Sequence, residues 1–206
     1  MSVLLLVLLA LLIAINGFFV AAEFALVRTR RGKIEQLAAE GEAGADTVVE
    51  HLDKIEESLS ACQIGVTVAS IGIGFLGEPS LSKLIEPLFG GLSHEVAAAL
   101  SLAFAFILVT AVHISIGEQV PKMLAIANAE GTARRVARPL NWFRIGTAPV
   151  TKGLSRFSNR VVRIFGVNPG DLEVHHTAED LKQIIDSSRV GGTLDRTGGR
   201  ELVRRW

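Results

Sequence analysis

The sequence predicts an all-α membrane protein with three transmembrane helices and juxtamembrane and amphipathic interfacial helices, its N-terminus outside and its C-terminus cytoplasmic. Three observations predict it. Apolar runs over residues 2–27, 58–77 and 96–117 each reach the length of about 20 residues that a hydrocarbon core requires. Five of the 21 Lys and Arg lie between the first two runs, one (Lys83) lies between the second and third, and 15 follow the third, so the positive-inside rule orients the spans. With 49% hydrophobic residues and a mean hydropathy of +0.41, the 206-residue chain is also too apolar for an ordinary soluble domain. The formal net charge of zero hides this segregation and indicates no partner.

The first run is apolar apart from Asn16 and Glu23. It lacks the basic start of a signal peptide and stays apolar to Val27, which predicts a retained span. Arg28, Arg30, Arg31 and Lys33 follow at once and fix its cytoplasmic end. Residues 33–57, rich in Glu, Ala and Leu and interrupted at Gly41–Gly44, read as two short polar helices under the membrane. The second run carries Ala61, Gly65 and Ala69 at four-residue spacing, a small-residue stripe that lets membrane helices approach closely. Gly72, Gly74 and Gly77 make its far end deformable, and Glu78-Pro79 is expected to end the helix. Cys62 is the only cysteine, so no intrachain disulfide can form, and its apolar setting suits a small buried residue.

The third run returns to the cytoplasm and ends in Gly117-Glu118-Gln119-Val120-Pro121-Lys122. Proline has no N–H and its ring clashes with the carbonyl four residues back, so Pro121 is expected to break the helix and free the Gly117 carbonyl beside Glu118. Residues 139–150 are too short for a fourth span and contain Arg144, which predicts a surface or re-entrant position. Residues 151–167 alternate an apolar stripe (Leu154, Phe157, Val161, Ile164, Phe165) with Arg156, Arg160 and Arg163. That pattern fits a helix in the inner interface with its arginines at anionic lipid headgroups, or a helix packed on a soluble domain. Val167-Asn168-Pro169-Gly170 signals a turn, and Thr177 with Asp180 resembles a helix cap ahead of Leu181, Ile184 and Ile185. Too few residues follow to complete a soluble module, so the expectation is a chain cut short or a tail that folds only with partners. The chain thus divides into a three-span domain over 1–150, the interfacial helix over 151–167, and the start of a cytoplasmic region over 168–206.

Ionisable residues inside spans are costly, which makes Glu23 and Glu118 candidates for function. Each also lies near a cation, Arg28 or Lys122, and could instead pair with it or snorkel to the interface. Two carboxylates, a backbone carbonyl and hydroxyls such as Ser70 or Thr67 form an all-oxygen set that suits Mg²⁺ or Ca²⁺ and not Zn²⁺ or copper. Asn16 either lines the same face or forms an interhelical hydrogen bond; His113 is either a packed residue or a ligand or proton relay. His175 and His176 read as loop residues. HExxH, a nucleophile elbow and a phosphate-binding glycine loop are all missing from the sequence, and an enzyme is not expected.

Four ordered blocks then carry a resemblance: Asn16-Gly17-Phe18-Phe19-Val20-Ala21-Ala22-Glu23-Phe24-Ala25-Leu26, Arg28-Thr29-Arg30-Arg31, Leu59-Ser60-Ala61-Cys62-Gln63-Ile64-Gly65, and the Gly117–Lys122 block. Together, over roughly residues 1–165, the chain resembles the transmembrane domain of the CorC/cyclin M family of magnesium transporters. The resemblance implies a homodimer in lipid, with no nucleic-acid partner, and a pair of nucleotide-binding CBS modules after the membrane domain in full-length members. Residues 177–188 look like the start of such a region, so nucleotide would bind only beyond this chain. It also implies sodium-dependent Mg²⁺ transport across the plasma (inner) membrane, mostly export, with the ion at Glu23, Ser70, Gly117 and Glu118. Where many relatives have a serine three residues before Glu23, this chain has Val20, so that ligand is missing or replaced. The leading hypothesis is therefore a dimeric Mg²⁺ transporter with Na⁺ as the coupling ion. A magnesium-sensing membrane adaptor without net transport is the alternative, and ion flux separates the two.

Overall fold

The computed structural model describes residues 2–165, and all of its regular structure over these residues is helical. Three segments are long and apolar enough to cross a membrane: Leu4–Arg28, Ile55–Phe89 and His94–Ala127. The first belongs to helix α1 (Ser2–Arg28). The second is α4 (Ile55–Ile85) followed by a 3₁₀ turn, Glu86–Phe89. The third is composite: α5 (His94–Val112), a π-helical turn (His113–Gln119) and α6 (Val120–Ala127). Helix α1 packs along α4 and against α6, and α4 packs along α5.

Small residues set the closeness of these contacts. Ala61 and Ala69 of the α4 stripe are buried, and Gly65 between them accommodates the ring of Phe19 from α1. Lipid is as apolar as Leu, so close van der Waals packing has to hold the spans together. A methyl group at Gly65 would overlap that ring, a change that typically costs about 1–3 kcal/mol. Gly17 faces the third span in the same way: a Cβ there would lie 2.9 Å from Pro121 Cγ.

Two expected helix ends do not form. Helix α4 runs six residues past Pro79, from Ser80 to Ile85; the Ser80 hydroxyl bonds the Leu76 carbonyl inside the helix. Pro121 does not break the third span, because the widened turn before it absorbs the missing N–H. The backbone N–H of Val120 bonds the Ser115 carbonyl five residues back, and the helix resumes as α6 with Pro121 in its first turn. A proline is tolerated in a first turn, where its N–H would have no helical partner.

The two polar helices form as expected: α2 (Arg31–Ala39) and α3 (Ala45–Asp53), separated by Gly41 and Gly44 at φ +76° and +83°. Gly44 also lies against the Arg134 carbonyl, where a Cβ would collide. Residues 129–164 form α7 (Ala129–Ile164) with Pro139 and Pro149 inside it, so the expected 139–150 stretch and the start of the 151–167 helix are parts of one helix. Its Ala133, Ala137, Leu140 and Arg144 are buried, while Trp142, Ile145 and Val150 on the same helix are exposed, as a helix with one covered and one open face requires. By internal contacts the chain divides between Gly153 and Leu154. In the first unit, Ile34, Val48, Ala133 and Leu140 join Phe19, Leu26 and Cys62 in one apolar core. The expected turn at 167–170, the cap at Thr177 and the CBS-type region over 168–206 lie outside the described residues.

Candidate cation site

Asn16 sits near the middle of α1 and is 1% exposed. Its Nδ2 donates to the Gly117 carbonyl at 2.9 Å, across to the third span. That carbonyl can only accept, which fixes the amide orientation and leaves Oδ1 pointing to α4, where the Ser70 hydroxyl donates to it at 3.2 Å. With its proton used, Ser70 Oγ accepts from His113 Nε2 at 3.4 Å, so His113 carries its proton on Nε2. One hydrogen-bonded chain therefore runs from His113 through Ser70 and Asn16 to Gly117 and ties all three spans together.

The carbonyl expected to be free is thus engaged, and Asn16 makes the interhelical bond that was one of its two readings. The π-helical turn explains the geometry. Widening by one residue per turn turns groups of the third span inward, a feature that recurs at functional sites. A Cβ at Gly117 would lie 3.0 Å from His113 Cδ2 and 3.5 Å from Asn16 Nδ2, so the position has little room for a larger residue.

The four residues expected to hold the ion fall into two groups. Ser70 and Gly117 meet through Asn16. Glu23 lies seven residues further along α1, about 10 Å toward its Arg28 end at roughly 1.5 Å per residue. It is half-buried, near Cys62 and within repulsive range of Glu118. Glu118 is exposed. Among the described residues neither carboxylate forms a salt bridge; Lys122, a possible partner of Glu118, lies over the Phe24 ring at 4.6 Å instead. Among the described residues no cluster of three or more His, Cys, Asp and Glu side chains suits a metal, so any cation here would depend on two carboxylates and neutral oxygens. Thr67 is turned back on its own helix, bonded to the Gln63 carbonyl at 2.7 Å.

A second polar cluster lies among α3, α4 and α7 and escaped the sequence reading. Arg144 of α7, its side chain 9% exposed, donates to Glu50 at 2.8 Å, Glu57 at 3.0 Å and Asn141 at 2.7 Å. Beside it His51 is buried, with Nε2 bonding the Ala137 carbonyl and Nδ1 the Ser58 hydroxyl, both at 2.9 Å. Burial pushes the His51 pKa below its ordinary value. Hydrogen bonding to Lys54, and the nearby Arg144, hold the Glu50 carboxyl below its own. A basic residue inside an apolar stretch was the one available signal for Arg144; His51 gave none.

Fold and site together define a multi-pass helical membrane protein whose spans share a buried polar junction and carry two carboxylates. The family model of the cyclin M transmembrane N-terminal domain matches residues 6–198. The chain is 37% identical over 204 residues to UPF0053 protein YhdP of Bacillus subtilis (strain 168), covering 96% of this chain and 45% of that protein. It is 38% identical over 193 residues to UPF0053 protein YhdT of the same organism, covering 92% and 42%. Against the uncharacterized protein Rv1841c of Mycobacterium tuberculosis (strain ATCC 25618 / H37Rv) it is 38% identical over 208 residues, covering 99% and 59%. The chain belongs to the cyclin M transmembrane domain family, as the four sequence blocks indicated. It spans about half the length of the curated relatives it matches.

Proposed function

We propose that the chain is the membrane domain of a sodium-dependent Mg²⁺ transporter of the plasma membrane, working in the direction of export. The observation that carries this reading is that two carboxylates of the spans, Glu23 and Glu118, form no salt bridge among the described residues, in spans that the Ser70–Asn16–Gly117 junction ties together. Carboxylates at membrane depth are expensive unless they serve an ion, and Mg²⁺ sheds its water only where anionic oxygens compensate. In this reading Glu23 and Glu118 receive the ion from the cytoplasm, and Ser70 and the Gly117 carbonyl complete its shell. The basic residues after the first and third spans support an outside N-terminus and a cytoplasmic C-terminus. Release to the far side requires the glycine-bearing end of α4 to move against the third span, a form of alternating access. A second copy of the chain and lipid complete the assembly.

Glu118→Gln keeps the size of the side chain and removes its charge. It is expected to abolish Mg²⁺ binding by calorimetry and to lower flux in proteoliposomes at least 100-fold; unchanged flux would refute the proposal. Binding without flux in the unaltered protein would favour the adaptor.

A further inference from the structure

We propose that the cavity lined by α1 and α4, at the end of α4 opposite its junction with α3, binds a phospholipid with a primary-amine headgroup, phosphatidylethanolamine. The inference stands on the membrane fold and is independent of the transport reading. The cavity has a volume of about 700 Å³, within the range of about 300–1,000 Å³ typical of small-molecule sites. Leu5 of α1 with Phe75 and Leu76 of α4 forms its apolar wall, and Glu78, Ser80 and Lys83 line its polar part. Glu78 is the first charged residue after the apolar run over 58–77, so the polar part lies where hydrocarbon gives way to headgroups. Neither Glu78 nor Lys83 forms a salt bridge among the described residues, so charges of both signs face the cavity without neutralising each other. The Glu78 carboxylate lies over Gly74, where a Cβ would stand 3.6 Å from Oε1. The Ser80 hydroxyl spends its proton on the Leu76 carbonyl, so its oxygen can only accept. Glu78 and Ser80 therefore call for a cation that carries N–H donors, and Lys83, which has three donors and no acceptor, calls for an anion. An ammonium joined through two carbons to a phosphate, with acyl chains that lie on Phe75 and Leu76, meets all three demands.

Phosphatidylcholine carries the same phosphate, but its trimethylammonium has no N–H for Glu78 and Ser80. Phosphatidylglycerol has the phosphate and no cation. The test is native mass spectrometry of the detergent-solubilised chain titrated with these three lipids on identical acyl chains, with folding followed by circular dichroism. Phosphatidylethanolamine is expected to bind roughly tenfold more tightly than either of the others, the size of one charge-assisted hydrogen bond. Glu78→Gln is expected to remove most of that advantage, and Lys83→Met to weaken phosphatidylethanolamine and phosphatidylcholine alike. Equal affinity for these two lipids in the unaltered chain, or an advantage that survives Glu78→Gln in full, overturns the assignment. Preference for phosphatidylglycerol also overturns it, since Lys83 alone would then select the lipid. If Glu78→Gln does not fold, the headgroup ranking of the unaltered chain and Lys83→Met decide: weaker binding by Lys83→Met supports the assignment, and unchanged binding overturns it. A cavity closed by a second copy of the chain takes up none of the three lipids, and that outcome overturns the assignment as well.

Discussion

The two polar clusters of the membrane domain solve the same problem with opposite chemistry. At mid-span, Asn16, Ser70, His113 and Gly117 join three helices through neutral hydrogen bonds. At the polar helices, Arg144 joins α7 to α3 and α4 through a charged fork to Glu50 and Glu57. The difference follows from the solvent. Glu50 and Glu57 are about half exposed and keep part of their hydration, so charge is tolerated there. In hydrocarbon a charge without compensation is costly, and neutral donors and acceptors do the joining. Glu23 and Glu118 form no salt bridge among the described residues and so do not serve as structural joints of this kind.

Breaking the charged fork should have the larger effect on stability. Arg144→Met keeps the apolar stem and removes three charge-assisted bonds. Allowing for the solvent exposure of both carboxylates, a loss of about 2–3 kcal/mol is expected in thermal unfolding of the detergent-solubilised chain. Raising the salt concentration should shrink the difference between Arg144→Met and the unaltered chain, because the partners are half exposed. Ser70→Ala cuts the neutral junction and should cost less, about 0.5–1 kcal/mol, with no salt dependence, since interhelical hydrogen bonds in membranes average roughly 0.6 kcal/mol. A Ser70→Ala cost above that of Arg144→Met would reverse the comparison.

The smallest effect is a pH response. His51 is buried and neutral, with a pKa below the ordinary value of about 6.5, so the unfolded chain binds its proton more readily than the folded chain. Its contribution is fully present above about pH 6.5 and is lost as pH falls below it, as protonation of Nδ1 removes the acceptor for the Ser58 hydroxyl. Unfolding temperatures measured from about pH 7.5 to 5.5 should fall, and His51→Gln should flatten the slope.

The spans were legible because hydrocarbon imposes a length and excludes charge, so three apolar runs and the distribution of Lys and Arg carry most of the fold. The family was legible because the four blocks recur in order. Helix ends were less so. Pro79 and Pro121 both signal a stop, yet α4 continues and a π-helical turn absorbs the second proline. Within the site, the sequence singled out Ser70, Gly117, Glu23 and Glu118, but the bond from Asn16 to Gly117 joins residues 101 positions apart and no local pattern announces it. The Arg144 fork, spanning 87 and 94 positions, was hidden for the same reason.

The central claim is that the unpaired carboxylates serve a moving ion. Its most direct test is Mg²⁺ flux by the purified chain in proteoliposomes, with and without an opposing Na⁺ gradient. Mg²⁺ movement that accelerates with the gradient and disappears in Glu118→Gln is the expected result. Mg²⁺ retention equal to that of empty vesicles, gradient or not, would contradict it.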